Sequence, residues 1–156
     1  MPLPQPNITP LRDAQIGFGL WPWSKGPLWR LEADWEFEAA GRFFTIPKGY
    51  QFDKASVPSF FWGAPFNYTP DGLCTVPALQ HDFLCDLLLG GSEWLKEQLG
   101  ELPKPLSPFD THHSFYLALL EYGVRPSKAK TMYAAVKNFG PKGRLRPSSW
   151  FAKKEG

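Results

Sequence analysis

Leu28-Trp29-Arg30-Leu31-Glu32-Ala33-Asp34-Trp35-Glu36-Phe37 is the stretch that decides the fold class. Trp29, Leu31, Ala33, Trp35 and Phe37 alternate with Arg30, Glu32, Asp34, Glu36 and Glu38. A period of two is that of a strand with one face buried and one wet. Ala39-Ala40-Gly41-Arg42 makes a turn, and Phe43 to Ile46 returns as the partner strand of a β-hairpin. Pro47 and Gly49 end that strand, and Tyr50 to Phe52 gives a short third one.

Beyond these strands the period changes. Pro77 to Leu89 reads as a helix with Leu84, Leu87 and Leu88 among its apolar positions, stopped by Gly90-Gly91. Ser92 to Leu99 is a short helix, followed by a Pro-rich linker from Pro103 to Pro108. Ser107 caps a helix with Pro108 in its first turn that runs to about Tyr122, with Phe115, Leu119 and Tyr122 at helical spacing. Ser127 caps the last helix, with Met132, Ala135 and Val136 facing inward, and Gly140-Pro141 closes it. Strands first and helices afterwards imply an α+β fold: a small antiparallel hairpin or sheet packed with about three C-terminal helices.

The chain of 156 residues suits one domain, and seven Trp, thirteen Phe and five Tyr supply an ample core. The expected division is a Pro- and aromatic-rich arm over 1–27, a single α+β domain over 28–140, and a basic tail over 141–156. Pro2, Pro4, Pro6 and Pro10 favour extended backbone in the arm, and Met1 to Pro10 carries no signal-peptide pattern. No apolar run approaches the ~20 residues of a membrane helix. Net charge is +2, with Lys137, Lys142, Arg144, Arg146, Lys153 and Lys154 gathered near the C-terminus. That run reads as a solvated end that meets a partner protein rather than as a nucleic-acid interface. Cys74 and Cys85 form no disulfide framework and read as reduced thiols of a protein made in a reducing cytoplasm.

Chemistry concentrates between Gly49 and His113. In Asp53-Lys54-Ala55-Ser56-Val57-Pro58, Asp53 and Ser56 can accept from nearby backbone N–H groups and make a specified turn. Such a loop ends the sheet and orients the first helix; alternatively it places Asp53 at the rim of a site, aimed at His81 or a metal. His81 and Asp82 diverge by ~100° on a helix, so they serve different roles, His as base and Asp as ligand or orienter. Cys85 follows one turn after His81 on the same face, and the third helix contributes Asp110, His112 and His113. Three readings stay open for His81, Cys85 and His112. They form a hydrogen-bonded tie between helices, or a zinc site with Asp82, Asp53 or water as fourth ligand, or a hydrolytic centre with His81 activating water.

At these residues the chain resembles the phage-associated family known as domain of unknown function 1353. The resemblance rests on Gly49-Tyr50, Asp53, Ala55-Ser56-Val57-Pro58, Trp62, His81-Asp82-Phe83-Leu84, Phe115, Gly123-Val124, Tyr133-Ala134-Ala135-Val136 and Gly140. It covers roughly residues 45 to 140 and departs from the family pattern twice. Cys85 stands where the pattern has Tyr, and His112 stands where it has Asp. The family's His-Asp helix is similar in turn to the helix pair of secreted calcium-dependent phospholipases, which would make His81 a base and Asp82 a ligand. The orienting carboxylate of those enzymes has no match, because His112 holds its place. Cys85 and His112 shift the spot toward soft ligands instead, and hence toward zinc.

The resemblance implies a phage structural or assembly protein, of the tail or baseplate, made in the host cytoplasm and carried in the virion. Its partners would be other phage structural proteins, met through the arm and the tail. The alternative is a metal-dependent hydrolase acting on host cell wall or lipid, with His81 and Asp82 catalytic and His81, Cys85, His112 and Asp53 about the metal.

Overall fold

The computed structural model describes residues 6–12, 28–52 and 75–139. Asp53 and the loop that follows it, Trp62, Cys74, most of the Pro-rich arm and the basic tail lie outside the described residues. The order of elements is α+β. Strands β1 (Ile8–Arg12), β2 (Leu28–Leu31), β3 (Trp35–Ala39), β4 (Arg42–Ile46) and β5 (Gln51–Phe52) come first. Helices α1 (Thr75–Leu88), α2 (Glu93–Leu99), α3 (Pro108–Glu121) and α4 (Pro126–Phe139) follow.

The alternating stretch from Leu28 to Phe37 is two strands, not one. β2 lies between β1 and β5 in an antiparallel sheet, while β3 pairs with β4 in a separate hairpin. The break falls at Glu32 to Asp34, where Asp34 Oδ1 accepts the Lys48 backbone N–H at 2.7 Å. Glu32 in turn accepts from Arg30 Nε at 2.8 Å. A short carboxylate that captures backbone competes with the ladder and bends the chain. Ala33, assigned by alternation to the buried face, is therefore exposed.

β1 occupies part of the expected arm. Pro10 is tolerated there because β1 is an edge strand among the described residues, and the register shifts between Pro10 and Arg12. In the hairpin, Ala40 and Gly41 both have positive φ, 51° and 76°, as a two-residue turn matched to strand twist demands. Gly49 also has positive φ, 93°, and a Cβ there would stand 3.2 Å from the Trp94 ring. Glycine at this position thus lets Tyr50 turn inward beneath α2.

Helix caps follow the serines. Ser92 Oγ accepts from Leu95 N–H and Ser107 Oγ from Asp110 N–H, while Pro108 takes the first turn of α3. α4 begins one residue before the expected Ser127 cap: Ala129 N–H bonds the Arg125 carbonyl, and Pro126 is already helical. Proline's preset φ starts the helix without a side-chain cap.

α1 buries every residue except Gln80 and Leu88, so it is the centre of the protein. One face meets the strands, where Phe83 packs edge-on against Phe37, Phe44 and Tyr50. Another meets α3. A second apolar cluster, with Phe115, Leu119, Val124, Met132 and Val136, joins α3 to α4. The α1–α3 seam is where polar groups are buried.

Candidate metal centre

His81 and Cys85 lie one helical turn apart on α1, and the helical repeat turns both toward α3. α3 presents His112 to them. His81 Nε2 stands 2.9 Å from His112 Nδ1 and 3.4 Å from Cys85 Sγ. One donor atom from each of the three falls within 4.8 Å of the others, and all three side chains are buried. Phe115 stacks on the His81 ring with centroids 4.6 Å apart, closing the group with apolar surface. The 2.9 Å contact requires one of the two facing nitrogens to carry N–H and the other a lone pair, so a single proton lies between them. A thiol and two imidazoles in this arrangement can hold a metal ion of borderline softness.

Asp82 is not part of this group. It faces the strands, where Tyr50 Oη lies 3.4 Å from Asp82 Oδ2 and 3.2 Å from Asp86 Oδ2. Asp86 Oδ1 also accepts the Ser92 backbone N–H at 2.9 Å, tying α1 to the start of α2. Burial first, then the two carboxylates beside it, push the Tyr50 hydroxyl well above its ordinary pKa, so it stays a proton donor. Sequence reasoning missed Tyr50 and Asp86. The available signal was the pair Asp82 and Asp86, two carboxylates one turn apart in a largely apolar helix.

Asp110 and His113 lie away from the centre. Asp110 gives its backbone N–H to the Ser107 cap, and His113 stacks on Phe109 at 5.3 Å. Asp53, the other expected ligand, is outside the described residues. Next to Phe115, His81 forms part of the wall of a cavity of about 420 Å³ between β3 and the α1–α3 pair.

The pattern of a family described as "Protein of unknown function (DUF1353)" matches residues 29–136. The chain belongs to the DUF1353 family. It is also 32% identical over 119 residues to the uncharacterized protein y4jT of Sinorhizobium fredii (strain NBRC 101917 / NGR234). That alignment covers 74% of this chain and 30% of the relative, so the chain spans under a third of the relative's length. No solved structure matches the chain. Within this DUF1353 protein, the match runs from β2 to α4 and takes in all three members of the buried His81–Cys85–His112 group.

Proposed function

We propose that this DUF1353 protein is a zinc-binding assembly component of a phage particle, of the tail or baseplate, in which the ion ties α1 to α3. The observation that carries the zinc reading is the convergence of His81 Nε2, His112 Nδ1 and Cys85 Sγ. Tetrahedral zinc, with Zn–N of about 2.05 Å and Zn–S of about 2.3 Å, holds its donors about 3.3 Å (N···N) and about 3.6 Å (N···S) apart. The two separations that involve His81, 2.9 and 3.4 Å, need to open by a few tenths of an ångström, and the Cys85 and His112 donors, within 4.8 Å of each other, need to settle near about 3.6 Å. Binding releases the Cys85 thiol proton and rearranges the imidazole proton, so affinity rises with pH. One thiolate and two neutral imidazoles leave a net +1 on the ion, which favours an anionic fourth ligand such as Asp53 or hydroxide.

The assembly role rests on the phage association that the sequence resemblance implies and on the Pro-rich and basic segments flanking the domain. Metal analysis of the purified chain tests the centre: about one zinc per chain is expected, lost in His112→Ala and Cys85→Ser. Metal-free protein of unchanged stability sinks it. Mass spectrometry of purified virions tests the role, because a particle component appears at stoichiometric copy number.

A second reading, a hydrolase acting on host cell wall or lipid, is favoured by one observation: His81 reaches the wall of a cavity large enough for a ligand. In that case zinc would supply a water of lowered pKa. A phage carrying His81→Ala that assembles normally but fails to penetrate or lyse its host selects this reading. Loss of particles only on deletion of the whole protein selects the assembly role.

A further inference from the structure

β3 is hydrogen-bonded to β4 along one side, and no described strand pairs with its other side. The hairpin register determines which groups face that open side. In a two-residue hairpin the residues flanking the turn, here Ala39 and Arg42, exchange both hydrogen bonds. Alternation then gives the same bonding to the pairs Phe37–Phe44 and Trp35–Ile46. Glu36 and Glu38 accordingly aim their backbone N–H and C=O groups away from β4. Along this edge runs the cavity of about 420 Å³, with Leu84, Phe115 and Ala118 on its floor and Glu121 across from the two strand glutamates. Glu36, Glu38 and Glu121 are all exposed, and among the described residues no Lys or Arg lines the cavity. An edge left open by the described strands, beside an apolar, acidic-rimmed groove, is built to accept an added basic strand.

We infer that this edge takes up the segment Lys142-Gly143-Arg144-Leu145-Arg146 of a second copy of the chain. In an extended segment Lys142, Arg144 and Arg146 share one face, matching Glu36 and Glu38 on the solvent face of β3. Opposite charges on neighbouring strands stabilise such a pairing. Gly143 and Leu145 then turn toward the apolar floor. Pro141 and Pro147 bound the segment, and the five residues between them all carry the N–H groups a ladder needs. β3 is also five residues long.

The donor is a second copy for reasons of reach. His113 and Tyr116 pack on Tyr133, so α4 runs back along α3 and ends near the start of α3. The groove instead lies on Ser114, Leu117, Ala118 and Glu121, on the side of α3 turned away from the His113 and Tyr116 face that meets α4. A helix with its side chains is about 10–12 Å across, so the three steps from Phe139 to Lys142, about 10 Å at most, do not carry the segment around α3 into the groove. The docking is independent of zinc.

Hydrogen exchange of individual amides in the full chain, followed by NMR, tests it. At high protein concentration the Glu36 and Glu38 amides exchange at least about tenfold more slowly than in the variant R144E/R146E. Dilution of the wild-type chain removes the difference. The Phe37 amide, bonded within the hairpin, exchanges alike in both and reports that the variant is folded. Equal exchange at Glu36 and Glu38 in both chains overturns the inference. So does protection that survives R144E/R146E, which would mean another segment covers the edge, and so does protection that dilution leaves intact, which would mean the chain's own tail does.

Discussion

Replacing Tyr50 with Phe removes one hydroxyl from the middle of the fold and leaves the ring contacts with Phe83 and Trp94 in place. The hydroxyl serves two buried carboxylates, Asp86 at 3.2 Å and Asp82 at 3.4 Å. A hydrogen bond to a charged group contributes about 1.5–3 kcal/mol, and these distances are long, so the loss is about 1.5 kcal/mol. For a domain of this size that lowers Tm by about 3–6 °C. The pH dependence is more specific. Burial and the two aspartates raise the Tyr50 pKa above its ordinary value of 10.0, so the folded chain keeps this proton at a pH where the unfolded chain has lost it. The unfolded state then binds fewer protons, and stability falls as pH rises above 10, by up to about 1.4 kcal/mol per unit from this group. Below pH 10 the contribution is fully present. Urea unfolding at pH 8 and at intervals from 10 to 11.5 measures both effects. Tyr50→Phe is expected to be less stable at pH 8 and to lose stability less steeply above 10. An identical alkaline slope in the two proteins would refute the reasoning.

Zinc should raise Tm of the wild-type chain, since an ion that binds only the folded state at 100 times its Kd contributes about 2.7 kcal/mol, or about 5–11 °C here. His112→Ala and Cys85→Ser should abolish that response while His113→Ala, at the stacked histidine outside the centre, keeps it; thermal melts with and without chelator decide. Ala40→Asn should stabilise the chain by about 0.5–1 kcal/mol, because Ala40 has φ 51° and Asn accepts the left-handed region more readily; denaturant midpoints check it.

Much of the fold was legible because its signals are local. Ser92 and Ser107 announce their helices by the side-chain bonds they make three residues ahead, and Ala40-Gly41 announces the hairpin. Period-two alternation correctly buried Leu31 and Phe37 but ran straight through Asp34, whose hold on Lys48 splits the strand. That bond joins residues fourteen apart, and no local pattern encodes it. β1 was hidden because Pro10 argues against a strand unless it is known to lie at an edge. The pairing of His81 with Cys85 followed from helical spacing, and His112 from the expectation that two helices face each other. Asp82 was read beside His81 by sequence adjacency, yet one step along a helix carries it to the opposite seam, where Tyr50 waits. Its partner Asp86 went unread because a buried carboxylate has meaning only beside the group that satisfies it.

The central claim is that one ion is held by His81, Cys85 and His112. X-ray absorption at the zinc edge of the purified chain tests it most directly. A single sulfur at about 2.3 Å with nitrogen or oxygen donors at about 2.0–2.1 Å is the predicted shell, with the sulfur lost in Cys85→Ser. A stoichiometric ion with no sulfur in its shell, or no ion at all, would contradict the account.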